Sequence, residues 1–83
     1  MLQLDILTPD KKVYSGEVKF VNLPGAAGAF EVHQNHAALI STLGKGDLKL
    51  VEANNAEKHF AVDGGVVEVL NNKVALLVQG ITE

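Results

Sequence analysis

The 83 residues suffice for one domain spanning 1–83, and the net charge of −3, from seven lysines against ten acids, excludes the clustered cations that a nucleic-acid surface needs. No cysteine is present, so neither a disulfide nor a thiolate metal site is possible, which fits a cytosolic chain. The first residues lack a basic n-region and carry Asp5, so they are not expected to form a signal peptide. No apolar run approaches a membrane-spanning length, and no direct insertion into a membrane is expected.

Valine and leucine occur eleven times each, and turn signals recur along the chain at short intervals. That pattern predicts an all-β sandwich or barrel. Leu2, Leu4 and Ile6 alternate with Gln3 and Asp5 until Pro9-Asp10 breaks the run. Lys12 to Tyr14 forms a short extended piece ended by Ser15-Gly16. Val18 and Phe20 then alternate with Glu17 and Lys19 up to Leu23-Pro24-Gly25. Phe30 and Val32 flank Glu31 after Gly28. His36 to Leu43 reads either as one helical turn or as a broken strand. Gly44-Lys45-Gly46 is expected to be a turn, followed by a strand carrying Leu48 and Leu50. Asn54-Asn55 predicts a hairpin turn, because asparagine tolerates positive φ. Phe60 and Val62 form the next apolar face, and Gly64-Gly65 marks a bulge or a tight turn. Val66 to Leu70 and Lys73 to Gln79 are expected to pair across Asn71-Asn72.

Several of these strands are apolar on both faces. Val21 and Leu23 share a face with Glu17 and Lys19, Leu7 shares one with Gln3 and Asp5, and Leu77 one with Lys73 and Gln79. Either loops cover the strand ends, or a partner covers an outer face.

The residue types that carry chemistry do not converge. His33 and His36, three apart, point to opposite faces of a strand, and His59 lies in another; a zinc site needs three or four converging ligands, so these read as turn or surface histidines. Gly25-Ala26-Ala27-Gly28 lacks the Lys-Ser/Thr and helix of a phosphate loop, and reads as a tight β-turn or a loop presented to a partner. The acids are scattered singly, and Ser15 and Ser41 lie in no nucleophile motif. No catalytic residue, metal ligand or cofactor is expected.

Taken together, Leu4-Asp5-Ile6-Leu7-Thr8-Pro9, Tyr14-Ser15-Gly16-Glu17-Val18, Leu23-Pro24-Gly25, Phe30-Glu31-Val32, Asn35-His36-Ala37 and Gly64-Gly65-Val66-Val67-Glu68-Val69 resemble the N-terminal domain of the ATP synthase epsilon-subunit family. The resemblance runs from Leu2 to Gln79. It implies a flattened β-sandwich of about ten short strands. It also implies a non-catalytic rotor part at the foot of the central stalk, joining the gamma subunit to the c-ring and coupling proton flow to ATP synthesis. Such a part would be peripheral, on the cytoplasmic face of a bacterial inner membrane, and held there by the complex.

By position, the resemblance assigns Gly25, Ala26, Ala27, Gly28, Ala29, Phe30 and Glu31 to the c-ring side. It assigns Thr8, His36 and Ser41 to the gamma side. Two departures stand out. Ala29 and Glu31 occupy positions where the family often has an acid and a glycine, and Gln34-Asn35-His36-Ala37-Ala38 lacks both prolines of the family pattern. Bacterial members continue into a two-helix hairpin that carries a nucleotide site, so no nucleotide is expected to bind within this sandwich. The competing reading is a stand-alone sandwich that binds a peptide or carbohydrate. It predicts exposed aromatics, of which Phe20, Phe30, Phe60 and Tyr14 are the only candidates.

Overall fold

A strand of fourteen residues, at about 3.3 Å per residue, is roughly 46 Å long when straight. This chain has three such strands in a body only 26 Å across at its widest, so each must bend. The computed structural model describes residues 1–82 and shows how. The strands are β1 (Leu2–Leu7), β2 (Lys12–Gly25), β3 (Gly28–His33), β4 (Leu39–Glu52), β5 (Glu57–Leu70), β6 (Lys73–Val78) and β7 (Ile81–Thr82). They form one 7-stranded sheet in the order β1-β6-β5-β4-β2-β3, with β7 attached to β5. A further β1–β2 pairing closes β1, β6, β5, β4 and β2 into a ring, leaving β3 and β7 at its margins. Closure removes the open edges that a sandwich of separate sheets would expose. The β1–β6 pair is parallel and the others are antiparallel.

The all-β expectation holds, but seven strands replace about ten. The difference lies at three glycine-containing stretches. Ser15-Gly16 does not end a strand, since Gly16 pairs with Leu4 inside β2. Gly44-Lys45-Gly46 is not a turn: Lys45 and Gly46 pair with Asp63 and Val62. Gly64-Gly65 is a bend within β5, with Gly65 paired to Leu43 on one side and Val78 on the other. Each long strand therefore serves both halves of the barrel. In β2, residues 12–18 pair with β1, and residues 18–25 pair with β4 and β3.

A local irregularity in β2 explains part of the two-faced patterning. A register irregularity between Val18 and Phe20 changes which parity of β2 points inward. Val18, Val21 and Leu23 are all buried, and Phe20, expected to share the face of Val18, is instead partly exposed. No partner is needed to account for Val21 and Leu23.

Turn chemistry follows the sequence closely. Asn71 and Asn72 both have positive φ, the geometry of a two-residue hairpin turn, and Asn55 has φ of 70° in the β4–β5 connection. Residues 36–38 are irregular and β4 begins at Leu39, so of the two readings of His36 to Leu43 the helical turn is not adopted. The core is mostly aliphatic, with Leu2, Leu4, Ile6, Leu48, Leu50 and Leu76 fully sequestered, Phe60 its one buried aromatic, and no buried polar side chain among the described residues.

One polar contact ties the β1–β2 end to β4. The Tyr14 hydroxyl donates to Glu52 Oε2 at 2.6 Å. Partial burial, then the bond to the Glu52 carboxylate and its charge, push the phenol up from 10.0 to about 12. The folded chain thus holds this proton where the unfolded chain has lost it, so stability is full below about pH 10 and declines between about pH 10 and 12. Absorbance titration of this sole tyrosine is expected to show a midpoint near 12. Glu52→Gln is expected to bring that midpoint back toward 10; an unshifted midpoint in the parent chain would contradict the contact.

Candidate interaction surfaces

The β2–β3 hairpin ends in a two-residue turn, Ala26-Ala27, closed by the Gly25–Gly28 pair. A side chain at Gly25 would meet the Gly28 carbonyl oxygen at 2.5 Å and the Phe30 ring at 2.8 Å, so the turn requires glycine there. The Ala26 amide donates to the Thr42 carbonyl at 3.0 Å, fixing the tip against β4. Along β3 the alternation places Ala29 and Glu31 outward, while Phe30 packs against the core. Glu31 is held by His33 Nε2 at 3.1 Å and accepts from Asn22 Nδ2 at 3.3 Å. These two bonds, His33 first, hold its carboxyl below the usual range. The His33 ring stacks on Phe20 with centroids 5.0 Å apart, and the Lys49 ammonium lies 5.6 Å from the centre of that ring. This side of the molecule is polar and carries both signs of charge.

A second outer face is different. Strand register sets Val66 beside Leu77, and Leu77 beside Leu7, in one row. The next row is Ile40, Glu68, Ala75 and Asp5. Leu70 pairs with Lys73 in the third. Ile40 is 72% exposed, Leu77 56%, Leu70 53% and Val66 40%. Four large aliphatic side chains therefore stand in water on one sheet face of a small domain whose core is already complete.

Over residues 1–83 the chain matches the family described as ATP synthase, Delta/Epsilon chain, beta-sandwich domain. The chain belongs to the ATP synthase delta/epsilon-chain β-sandwich family. ATP synthase epsilon chains are similar to it along nearly its whole length. That of Maridesulfovibrio salexigens is 46% identical over 94% of this chain, and that of Chlorobium limicola 39% identical over 96%. The chain spans 54% of the first relative's length and 91% of the second's. The fold is also that of chains in solved mitochondrial ATP synthases. One, from a Tetrahymena thermophila central stalk and c-ring, superposes with a TM-score of 0.80 at 20% identity, covering 99% of this chain and 66% of that one. Another, from Euglena gracilis, reaches 0.90 at 15% identity, covering 98% and 52%.

Within this epsilon-type sandwich, Gly25 to Glu31 form one contiguous hairpin tip, as their sequence spacing requires. Thr8, His36 and Ser41 do not come together. Thr8, whose hydroxyl bonds within its own turn to Lys11, lines a groove with Leu7, Val66 and Leu77. His36 bonds through Nδ1 to the Ala37 carbonyl at 2.8 Å and lines a second groove with Ala38, Leu70 and Asn72. These grooves border the two ends of the aliphatic face. Ser41 pairs with buried Val67 and so points away from that face, toward the interior. Ile40, Val66 and Leu70, three exposed residues of the face, were not among the candidate site positions read from the sequence. Leu77 was visible as an apolar residue sharing a face with lysine and glutamine. Among the described residues no three His, Asp or Glu side chains are grouped to hold a metal ion. No described helix could cross a membrane. The aromatics are mostly committed to the fold: Phe60 is buried, and Tyr14 and Phe30 pack on the core.

Proposed function

We propose that this chain is a non-catalytic part of the central stalk of a proton-translocating F-type ATP synthase. In this reading the aliphatic face of β4, β5, β6 and β1 docks on the gamma subunit. The β2–β3 hairpin, Gly25 to Glu31, meets the polar loops of the c-ring. The sandwich is then a rigid link that helps couple proton flow to ATP synthesis, peripheral to the cytoplasmic face of a bacterial inner membrane and held by its partners.

The carrying observation is the face that exposes Ile40, Val66, Leu70 and Leu77 beside a sealed core. Covering such a surface is favourable by about 25 cal/mol per Å² of apolar area removed from water. The hairpin, by contrast, offers exposed polar groups suited to a wet, charge-sensitive contact.

The test is copurification of the chain with gamma and c subunits, and reconstitution of coupled synthesis. Leu77→Lys is expected to abolish association with gamma while leaving the β spectrum intact, because the side chain bears no core contact. Glu31→Lys is expected to leave gamma binding unchanged and to weaken coupling only partially, and less so at high salt. Gamma binding unaffected by Leu77→Lys would remove this face from the proposal.

A further inference from the structure

Charged groups interrupt the aliphatic face at Asp5, Glu68 and Lys73, and Glu68 is the one flanked on its own strand by exposed aliphatic side chains on both sides. Glu68 sits in the middle row of that face, between Ile40 on β4 and Ala75 on β6, with Val66 and Leu70 two residues away on the same face of β5. It makes no ion pair or side-chain hydrogen bond with any described residue; the ion pairs present are His33–Glu31 and His59–Glu57. Lys73 stands diagonally across, paired with Leu70, and does not reach it. Asp5, at the far end of the same row, is already held by the Ser15 hydroxyl at 2.6 Å. In water Glu68 costs nothing. Under an apolar partner it becomes a desolvated, unpaired carboxylate, whose penalty would cancel much of the gain from the surrounding leucines.

We infer that the partner covering this face carries a lysine or arginine side chain, ringed by apolar residues, that pairs with Glu68. The inference rests on the gamma-subunit reading above and adds to it the chemistry of the contact. Charge complementarity sets the register of docking: the aliphatic rows supply affinity in many orientations, and one buried ion pair selects among them.

The test uses the isolated gamma subunit of the same complex and measures its affinity for the chain by calorimetry. Glu68→Gln is expected to weaken binding by about thirtyfold or more, as for a buried charge left without its partner, and Glu68→Lys to weaken it further. Glu57→Gln, on the other half of β5, is expected to change it less than about twofold. Restoration of Glu68→Lys binding by reversing a single lysine or arginine of gamma would identify the pair. If the parent chain binds gamma and Glu68→Gln binds equally well, the inference fails while the docking reading stands. If the parent chain does not bind gamma, the docking reading itself fails and takes the inference with it. A dimer in sedimentation that Ile40→Asp dissolves would assign the face to a second copy and overturn both.

Discussion

Gly65→Ala is expected to cost a large fraction of the stability of this domain. A Cβ at Gly65 would lie 2.2 Å from the Leu77 carbonyl oxygen and 2.9 Å from the Val78 Cα, both backbone atoms of the neighbouring strand. No rotamer change relieves such a clash; β6 itself must move. The φ of 152° is also one that side-chain-bearing residues rarely adopt. Backbone strain of about 1–3 kcal/mol adds to an overpacking cost of about 1–3 kcal/mol. For a chain of this length total stability is on the order of 4–12 kcal/mol, so the loss is a large fraction. Urea unfolding followed by far-ultraviolet circular dichroism measures it. Gly44→Ala is the control: its added Cβ meets nothing closer than 3.5 Å, and a change within about 1 kcal/mol is expected. Equal midpoints for the two variants would mean that β5 does not bend as described.

The second large effect is expected from Leu4→Ala. Leu4 is fully buried on β1, at the seam where that strand joins Gly16 of β2 and Val74 of β6 to close the ring. Removing its side chain leaves a cavity in a small core, at about 2–5 kcal/mol. Leu70→Ala removes the same atoms from a side chain that is 53% exposed, and the expected loss is within about 0.5 kcal/mol. The pair of measurements separates core from docking surface: Leu4→Ala is expected to lower the unfolding midpoint, and Leu70→Ala to lower affinity for gamma instead. A Leu70→Ala variant as destabilised as Leu4→Ala would mean that the outer face belongs to the core, leaving nothing apolar to offer a partner.

What could be read directly from the sequence was local. Period-two alternation in Leu2 to Ile6 and in Asp47 to Leu50 marked strands, because successive side chains of a strand point to opposite faces. Asn71-Asn72 and Gly25 to Gly28 marked tight turns, because the backbone geometry of a turn is a property of the residues in it. The absence of cysteine was equally plain. The hairpin tip, contiguous in the chain, was therefore legible as a unit.

Strand continuity was not local. Gly44-Lys45-Gly46 and Gly64-Gly65 carry turn chemistry, yet whether the chain reverses or merely bends there depends on the neighbouring strand. In the folded chain each bend faces the other across the β4–β5 pair, and the ladder runs on through both. Register irregularity in β2 likewise moved Phe20 out of the core, a shift of parity that no pattern within β2 announces. The aliphatic face depended on tertiary structure for a further reason. Ile40, Val66, Leu77 and Leu7 come from four strands spread over seventy-one residues, and only the closing of β1 onto β6 brings their rows together around Glu68. The sequence by itself determined an all-β chain, its asparagine and Gly25–Gly28 turns, and its family; burial and register in the closed ring decided which apolar residues were left facing water.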